Sequence, residues 1–455
     1  MRHGRMTTLV LTAALVMAMT ASPAMARSGP TYTIDHDQVA SLVAAIDAPG
    51  VMTVHGEIAG AAYVGQMPDD WNGDLVVWAH GYRGEGTSLT VDPPPVREWL
   101  LDGGTAWIAS SYRRNSYDPG IGMFDTKGVA NEAATLFGEP DHTYVAGVSM
   151  GGHVIAATLE RFPSLFDGAL PACGVLGDVE LFDYFTDYST GAAAFAGVDI
   201  DLPDENFTAD EVPQIQAALS LHDEAGFPAS TWAFDGSPLV GAATDLLFGP
   251  GEDFKDFIEV GSGGERGVIY DVGWDYWHAA GGGNFFFDLG EGDLTIANRP
   301  GIVGQNVDTD YATEYGFDID DDVARVTARA KWRRPGGNNA APVIQGTPHV
   351  PVLTMHTTGD LFVPIEMEQI YAREVAANGR SDLLVQRAVR DVGHCTFSDT
   401  EWKTSFTDLF AWVEDGVRPA GEDLVGNISS PTLGCDWTVS DGTATARGGV
   451  RIFGC

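Results

Sequence analysis

The fold of this chain is indicated most clearly by the stretch Thr143-Tyr144-Val145-Ala146-Gly147-Val148-Ser149-Met150-Gly151-Gly152. It joins an apolar run typical of a buried strand to the motif Gly-x-Ser-x-Gly, and a helical pattern follows up to Phe162. A serine at such a strand-to-helix turn is held in a strained conformation that exposes its hydroxyl, while Gly147 and Gly151 keep side chains away from neighbouring backbone. The pattern predicts a nucleophilic Ser149, with an ordinary glycine-rich turn as the alternative.

Further apolar runs of strand length lie on both sides of this motif, and helical patterns alternate with them. Such alternation is typical of βαβ units and predicts an α/β fold with a mostly parallel central sheet. The predicted strands include 75–79, 105–109, 169–173, 350–356 and 382–388, and the predicted helices lie at 127–137, 152–162, 366–377 and 401–413.

The alternation stops between residues 174 and 341, where the chain is rich in Gly, Asp, Phe and Trp and shows only helix-like patches at 211–221 and 321–332. We interpret this segment as a large lid or cap inserted between the sixth and seventh strands of one sheet. The predicted organisation is a signal peptide at 1–26, the first part of the core at 27–173, the insertion at 174–341, the second part of the core at 342–418, and a small β-like C-terminal extension at 419–455.

A serine hydroxyl is a weak nucleophile at neutral pH, so it needs a histidine as base, and that histidine needs a carboxylate to orient it. Asp360 follows the predicted strand at 350–356, on the carboxyl edge where open α/β sheets carry their sites, and His394 follows the last predicted strand. The chain order Ser149, Asp360, His394 is the one expected for a triad behind this serine motif. Asp178, which follows the strand at 169–173, is the alternative acid.

These features resemble those of secreted serine hydrolases of the α/β-hydrolase superfamily, in particular its esterase-like and lipase-like members. Besides the serine motif, the resemblance rests on His80-Gly81-Tyr82 after the third strand, Gly359-Asp360 followed by Val363-Pro364, and Gly393-His394. It implies an α/β-hydrolase fold, acyl transfer from a carboxylic ester to water, and no requirement for a cofactor or a metal ion. It also implies an oxyanion hole formed by the backbone N–H groups of Met150 and Tyr82.

The sequence therefore predicts an enzyme that cleaves carboxylic esters through an acyl-enzyme intermediate. A serine peptidase or aminopeptidase of the same fold is the alternative enzyme, and a binding protein on a hydrolase scaffold is the alternative outside enzymes. The clusters Trp274-Asp275-Tyr276-Trp277 and Phe285-Phe286-Phe287 line an apolar substrate pocket in one interpretation and form the insertion's own core in the other. Neither the ester, small or polymeric, nor the oligomeric state follows from the sequence.

Charge and an N-terminal pattern bear on partners and location. Sixty-four acidic residues against 25 basic ones give a net charge of -39, which repels phosphate backbones and argues against a nucleic-acid partner. The first 26 residues are typical of a cleavable signal peptide, since Arg2 and Arg5 precede an apolar run and Ala24-Met25-Ala26 forms a cleavage site. No later run is apolar enough to span a bilayer. We therefore expect a secreted protein without stable membrane insertion.

Export to an oxidising compartment allows the four cysteines to form disulfides, for which three connectivities exist. Cys435 and Cys455 bracket the tail, while Cys173 and Cys395 are both expected at the same edge of the sheet. We expect these two pairs, with the second one holding the loop that positions His394. The chain has no Cys-x-x-Cys pair, which argues against a zinc cluster.

Two further groups of candidate residues have structural interpretations. The acidic segment 318–322, with Asp308 and Asp310 nearby, matches no EF-hand spacing, so we interpret it as a solvated loop and keep a calcium site as the alternative. The remaining candidates are histidines that we expect to be packed or hydrogen-bonded rather than catalytic, namely His80, His153, His278 and His356.

Overall fold

The structure, a computed structural model, describes most of the chain between its two ends. The described residues are 30–204, 206–221, 249–279, 286–287, 303–337 and 339–444. The expected signal peptide, Phe285 and Cys455 therefore lie outside the described residues. Within these ranges, no helix combines the length and the apolar character needed to cross a membrane.

Eight strands of the described residues form the central sheet. In chain order they are β1 (Val51–Ile58), β2 (Ala61–Pro68), β3 (Asp74–Ala79), β4 (Ala106–Ser110), β5 (His142–Val148), β6 (Gly168–Ala172), β7 (Val352–Thr357) and β8 (Leu384–Val389). Their order across the sheet is β8-β7-β6-β5-β3-β4-β2-β1. β2 pairs antiparallel with β1 and β4, and the other neighbouring pairs are parallel. This topology confirms the predicted α/β-hydrolase fold.

Helices flank this sheet and also build the insertion. In chain order they are α1 (His36–Ile46), α2 (Arg97–Asp102), α3 (Pro119–Phe137), α4 (Met150–Arg161), α5 (Glu180–Ala196), α6 (Phe207–Asp210), α7 (Val212–Leu219), α8 (Pro250–Gly261), α9 (Val268–Ala279), α10 (Tyr311–Glu314), α11 (Glu366–Ala377) and α12 (Asp399–Asp415). Two short strands, Thr33–Ile34 and Ser88–Leu89, pair in parallel as a separate small sheet.

The central strand β3 shows why this sheet is visible in the sequence as uninterrupted apolar runs. Leu75 and Val77 belong to the hydrophobic cluster that includes buried residues of α3 and α4. Val76 and Trp78 belong to a second cluster that includes residues of α2 and α12. A strand that is covered on both faces must be apolar at every position, so alternation disappears from its sequence.

The insertion lies between β6 and β7 and contains α5 to α10 in its described parts. Its interior is aromatic, since Phe257 stacks on Tyr315 with ring centroids 4.5 Å apart and Tyr188 stacks on Phe286 at 4.9 Å. Most of these rings belong to the same hydrophobic cluster as the buried residues of α3 and α4. The insertion is therefore continuous with one of the two cores of the sheet.

The prediction of a helix at 321–332 is wrong, since this segment contains only a short 3-10 turn at Ala330–Arg333. Val326 N–H donates to the side-chain oxygen of Asn306 at 2.7 Å, and Asn306 N–H donates to the carbonyl of Val326 at 3.1 Å. Arg325 also donates to the carbonyl of Asn306, at 2.8 Å. These bonds to a distant segment satisfy groups that a helix would pair internally, so tertiary contacts override the local pattern.

The C-terminal extension contains no strand in its described part. Residues 416–444 form turns, not the β-like segments that were expected from the sequence. The Asp423 carboxylate accepts the backbone N–H groups of Val425 at 3.1 Å and Gly426 at 2.8 Å. Such short-range bonds from an aspartate to its own backbone favour turns over a strand ladder. Leu424 then anchors the tail in a small apolar cluster.

The acidic segment 318–322 is tied to its own insertion by short-range bonds. The Asp320 carboxylate accepts the backbone N–H groups of Tyr311 at 3.2 Å and Ala312 at 3.1 Å. It also forms an ion pair with Arg325 at 2.5 Å. This carboxylate therefore holds the start of α10. Such a role agrees with the interpretation of the segment as a structural loop.

Asp187 is a buried carboxylate inside the insertion. Tyr311 and Tyr315 donate their hydroxyls to its two oxygens at 2.5 and 2.7 Å. Burial raises the pKa of Asp187 to about 7, because the loss of solvation penalises the charged form more than the two hydroxyls stabilise it. Glu314 raises this pKa further, and Arg325 lowers it.

The raised pKa of Asp187 predicts how the stability of the protein depends on pH. Between about pH 4 and pH 7 the folded chain keeps a proton on Asp187 that the unfolded chain has released, so the free energy of unfolding falls as the pH rises. We expect Asp187→Asn, whose amide stays neutral, to show a smaller decrease in Tm between about pH 5 and pH 8 than the wild type. The exposed control Asp199→Asn should keep the wild-type dependence in thermal unfolding followed by circular dichroism. An equal pH dependence of Tm in all three proteins would contradict the raised pKa of Asp187.

Candidate active site

Ser149 lies on the sharp turn between β5 and α4. Its backbone has φ 59° and ψ -124°, in a region that residues other than glycine rarely adopt. Ser149 N–H donates to the carbonyl of Ala172 at 3.1 Å, and the carbonyl of Ser149 accepts the N–H of Val175 at 3.2 Å. The turn therefore has the strained strand-to-helix geometry of a nucleophile elbow.

Glycine is required on both sides of Ser149 because neighbouring backbone comes too close for a side chain. A Cβ at Gly147 or at Gly151 would lie 2.2 Å from the carbonyl oxygen of Ala79, at the end of β3. A Cβ at Gly81 would lie 3.0 Å from the Cβ of Ser149. The loop that follows β3 therefore lies directly against the serine.

The two residues expected to form the oxyanion hole belong to segments next to Ser149. Met150 is the first residue of α4, where a backbone N–H has no partner within the helix. Tyr82 follows Gly81 in the loop that lies against the serine, and burial raises the pKa of its phenol to about 12. Both residues therefore belong to segments next to Ser149, and their role in an oxyanion hole stays a prediction.

Asp360 and His394 form a short hydrogen bond at the carboxyl edge of the sheet, where His394 Nδ1 donates to Asp360 Oδ2 at 2.6 Å. The other carboxylate oxygen accepts the backbone N–H groups of Phe362 at 2.9 Å and Val363 at 3.1 Å. Both members of the pair are buried. A carboxylate oxygen accepts in such a bond, so Nδ1 is the donor, and a neutral imidazole with its proton on Nδ1 has none on Nε2.

Further hydrogen bonds hold the loops of Asp360 and His394 to each other. Gly359 N–H donates to the carbonyl of Asp391 at 2.9 Å, and the Thr357 hydroxyl donates to the carbonyl of Gly393 at 2.8 Å. A Cβ at Gly359 would lie 2.8 Å from the Val392 side chain. The loops that follow β7 and β8 are therefore packed too closely for a side chain at this glycine.

A disulfide joins Cys173, directly after β6, to Cys395, directly after His394, with the two Cα atoms 5.3 Å apart. The sulfur of Cys395 lies 3.4 Å from Nε2 of His394. Both sulfur atoms and one ring nitrogen of His394 lie within 4.8 Å of one another. Because Ser149 is hydrogen-bonded to residues on both sides of Cys173, the disulfide brings the turn of the serine next to the loop of the histidine.

The same disulfide also stabilises the fold. Its two cysteines are 222 residues apart in the sequence. Closing a loop of this length restricts the unfolded chain by an entropy worth about 5 kcal/mol. The second pair, Cys435 with Cys455, stays a prediction because Cys455 lies outside the described residues.

Asp178, the alternative acid, holds backbone groups rather than a histidine. Its carboxylate accepts the N–H groups of Val179 and Ile344, the latter at 2.7 Å. Burial raises the pKa of Asp178 well above its usual range. Asp178 thus ties the start of α5 to the segment that leads into β7.

Four other histidines are buried, and at least one ring nitrogen of each binds a group outside the pair of Asp360 and His394. These partners give each ring a structural position, as expected from the sequence. The hydrogen-bond partners are Gly81 for His80, Tyr117 and Pro342 for His153, Tyr188 and Trp274 for His278, and Glu368 and Val363 for His356.

Residues of the insertion contact the loops of Asp360 and His394. These contacts were not predicted from the sequence. Phe362 packs edge-on against His394 with ring centroids 4.8 Å apart, and its other contacts include Trp277 at 6.4 Å. Tyr184 donates its hydroxyl to the carbonyl of Leu361 at 3.1 Å. A buried Trp or Tyr needs an acceptor for its N–H or O–H. This requirement was the only sequence signal that such residues would bind backbone carbonyls of neighbouring loops.

The aromatic clusters of the insertion divide between two roles. Trp274 stacks on His278 with ring centroids 3.7 Å apart, and Phe286 is fully buried against Tyr188. These residues form the core of the insertion. Trp277 instead reaches the loop of Asp360, and Phe285 lies outside the described residues.

No protein-family model matches the chain. The chain is 23% identical over 422 residues to the o-phthalyl amidase of Xanthobacter agilis, covering 80% of this chain and 87% of that protein. It is similar in structure to feruloyl esterase B from Aspergillus oryzae, with a TM-score of 0.47, 13% identity and 81% of each chain covered. A second esterase from Aspergillus oryzae gives a TM-score of 0.43, 14% identity and coverage of 81% and 80%.

All three of these similar proteins are named as hydrolases. Their names include an amidase and two esterases, so these similarities do not distinguish ester hydrolysis from amide hydrolysis.

Proposed function

We propose that this chain is a secreted serine hydrolase that cleaves carboxylic esters through an acyl-enzyme intermediate. The observation that carries the proposal is the 2.6 Å hydrogen bond from His394 Nδ1 to Asp360. It is supported by the strained strand-to-helix turn at Ser149 and by the disulfide that joins Cys173 to Cys395, the residue after His394. In this arrangement Ser149 is the nucleophile and His394 is the general base. Asp360 orients the imidazole and stabilises the imidazolium that forms when the base accepts a proton.

The chemistry follows from these positions. Ser149 Oγ attacks the ester carbonyl while His394 Nε2 accepts its proton, and the carbonyl oxygen becomes an oxyanion. The N–H groups of Met150 and Tyr82 donate to this oxyanion, and each such donor typically lowers the barrier by about 3 to 4 kcal/mol. The intermediate expels the alcohol, which takes the proton from His394. Water then attacks the acyl-enzyme by the same route, and the carboxylic acid leaves.

The surroundings of His394 favour a substrate with a flat apolar group. The ring of Phe362 lies edge-on to the imidazole at 4.8 Å, and it is only partly buried. Tyr82, in the loop against Ser149, is also only partly buried. Aromatic rings beside a reacting centre bind planar apolar groups well, so we propose an aromatic or other apolar group on at least one side of the ester bond.

Amide hydrolysis is the second candidate, and the similarity to an o-phthalyl amidase favours it. The phthalyl group in that name is an aromatic acyl group, which suits the ring of Phe362 beside His394. The same triad serves both reactions, because His394 protonates the leaving amine as it would protonate the leaving alcohol. The difference between them lies in how well the site binds each leaving group.

Secretion is proposed on two grounds. Residues 1–26 have the pattern of a cleavable signal peptide. The disulfide between Cys173 and Cys395 is of the kind that persists in oxidising compartments.

The test of the proposed function combines covalent labelling with a matched set of substrates. We expect a fluorophosphonate to label the protein stoichiometrically on the Ser149 peptide, as located by mass spectrometry. We also expect turnover of p-nitrophenyl esters from acetate to decanoate and of p-nitrophenyl benzoate. Faster cleavage of phthalyl anilides would favour the amidase, and faster cleavage of amino-acyl anilides would favour a peptidase. If the protein showed neither labelling nor turnover, the result would favour the alternative of a non-catalytic binding protein.

A further inference from the structure

Trp277 connects the two loops that carry Asp360 and His394. Its indole N–H is shared between the carbonyl of Gly359 at 3.1 Å and the carbonyl of Val392 at 3.0 Å. Gly359 directly precedes Asp360, and Val392 lies two residues before His394. One donor from the insertion thus bridges a loop that follows β7 and a loop that follows β8.

The position of Trp277 is fixed by the packing of α9. A Cβ at Gly273, one helical turn earlier, would lie 2.8 Å from the carbonyl oxygen of Gly359, so the helix lies directly against this loop. The Trp277 side chain is 3% exposed and packs against Phe286 and Phe362, with ring centroids 6.0 and 6.4 Å away. A buried donor in such tight packing has little freedom to change acceptors.

We propose that Trp277 is a positioning residue, and that through it the insertion completes the catalytic site by setting the distance between Asp360 and His394. The proposal rests on the proposed function. The two loops leave different strands, so the 2.6 Å bond between the acid and the base depends on contacts that cross from one loop to the other. Trp277 makes such a contact from outside the sheet. Loss of its N–H would also leave two buried carbonyls with one donor fewer.

The experiment compares two tryptophan-to-phenylalanine variants in the full-length protein. Trp277→Phe keeps a ring but loses the N–H, and we expect kcat to fall about 10- to 100-fold because the base is slightly displaced. KM should change less than about twofold, because Trp277 acts through the two loops. The matched control Trp274→Phe changes the same residue type on the same helix, where the indole stacks on His278. We expect this control to keep kcat.

A second variant and a spectroscopic signal separate positioning from a general loss of packing. Gly273→Ala should push α9 away from Gly359 and lower kcat in the same way, while it leaves the Trp277 side chain intact. The proton resonance of His394 Nδ1–H, shifted downfield by its short bond to Asp360, should move in Trp277→Phe and stay in Trp274→Phe. An unchanged kcat in Trp277→Phe, or equal losses in both tryptophan variants, would overturn the inference. Full activity of Ser149→Ala would overturn the proposed function instead.

Discussion

Ser149→Ala is expected to lower kcat for ester substrates by about five to six orders of magnitude. In the proposed mechanism its Oγ forms the acyl-enzyme, and without it only oxyanion stabilisation and substrate binding remain. The backbone bonds of Ser149 to Ala172 and Val175 do not use the hydroxyl, so the fold should persist. Initial rates with a p-nitrophenyl ester, measured over hours, give the residual activity.

The control for this variant is the same substitution at another serine with a positive φ. Ser220 has φ 56° and ψ 33°, in contrast to ψ -124° at Ser149, and it is exposed in the insertion. Ser220→Ala should keep the wild-type kcat, and circular dichroism should show that both variants keep their helices and strands. Activity of Ser149→Ala within about tenfold of the wild type would remove Ser149 as the nucleophile.

Asp360→Asn is expected to lower kcat by about four orders of magnitude. An amide nitrogen facing Nδ1 cannot accept its proton, so the imidazole takes the tautomer with the proton on Nε2 and can no longer act as a base. The remaining amide oxygen can still accept the N–H groups of Phe362 and Val363, so the loop should keep its shape. KM and kcat for an ester substrate measure the effect.

Asp178→Asn is the matched control for this second substitution. Asp178 is also buried, but its carboxylate accepts the N–H groups of Val179 and Ile344. We expect the variant to keep kcat within about threefold, whereas its Tm should fall because one of these two N–H groups loses its acceptor. The reverse result, with activity lost at Asp178 and kept at Asp360, would make Asp178 the acid.

The central sheet and the turn at Ser149 could be predicted from the sequence because the forces that build them act locally. β3 and β5 are covered on both faces, so each leaves a continuous apolar run. The turn at Ser149 needs glycine at Gly147 and Gly151 because both approach the backbone of Ala79. Each of these requirements is visible within a few residues of the position that it affects.

The insertion could not be predicted in this way because its contacts join residues that are far apart in the sequence. The acceptors of the Trp277 indole lie 82 and 115 residues further along the chain. The segment around Val326 has a helical pattern, but its backbone is paired with Asn306. The sequence indicated that buried aromatic residues were present, and only the fold shows which of them touch the loops of Asp360 and His394.

The disulfide between Cys173 and Cys395 encloses the whole insertion in a covalent ring. A single proteolytic cut anywhere between residues 174 and 341 divides the chain into one fragment with Ser149 and another with Asp360 and His394. The bridge keeps both fragments in one molecule, and the sheet still aligns them. A protein cut once by a protease in this segment therefore loses the continuity of its chain without losing the connection between Ser149 and the pair of Asp360 and His394.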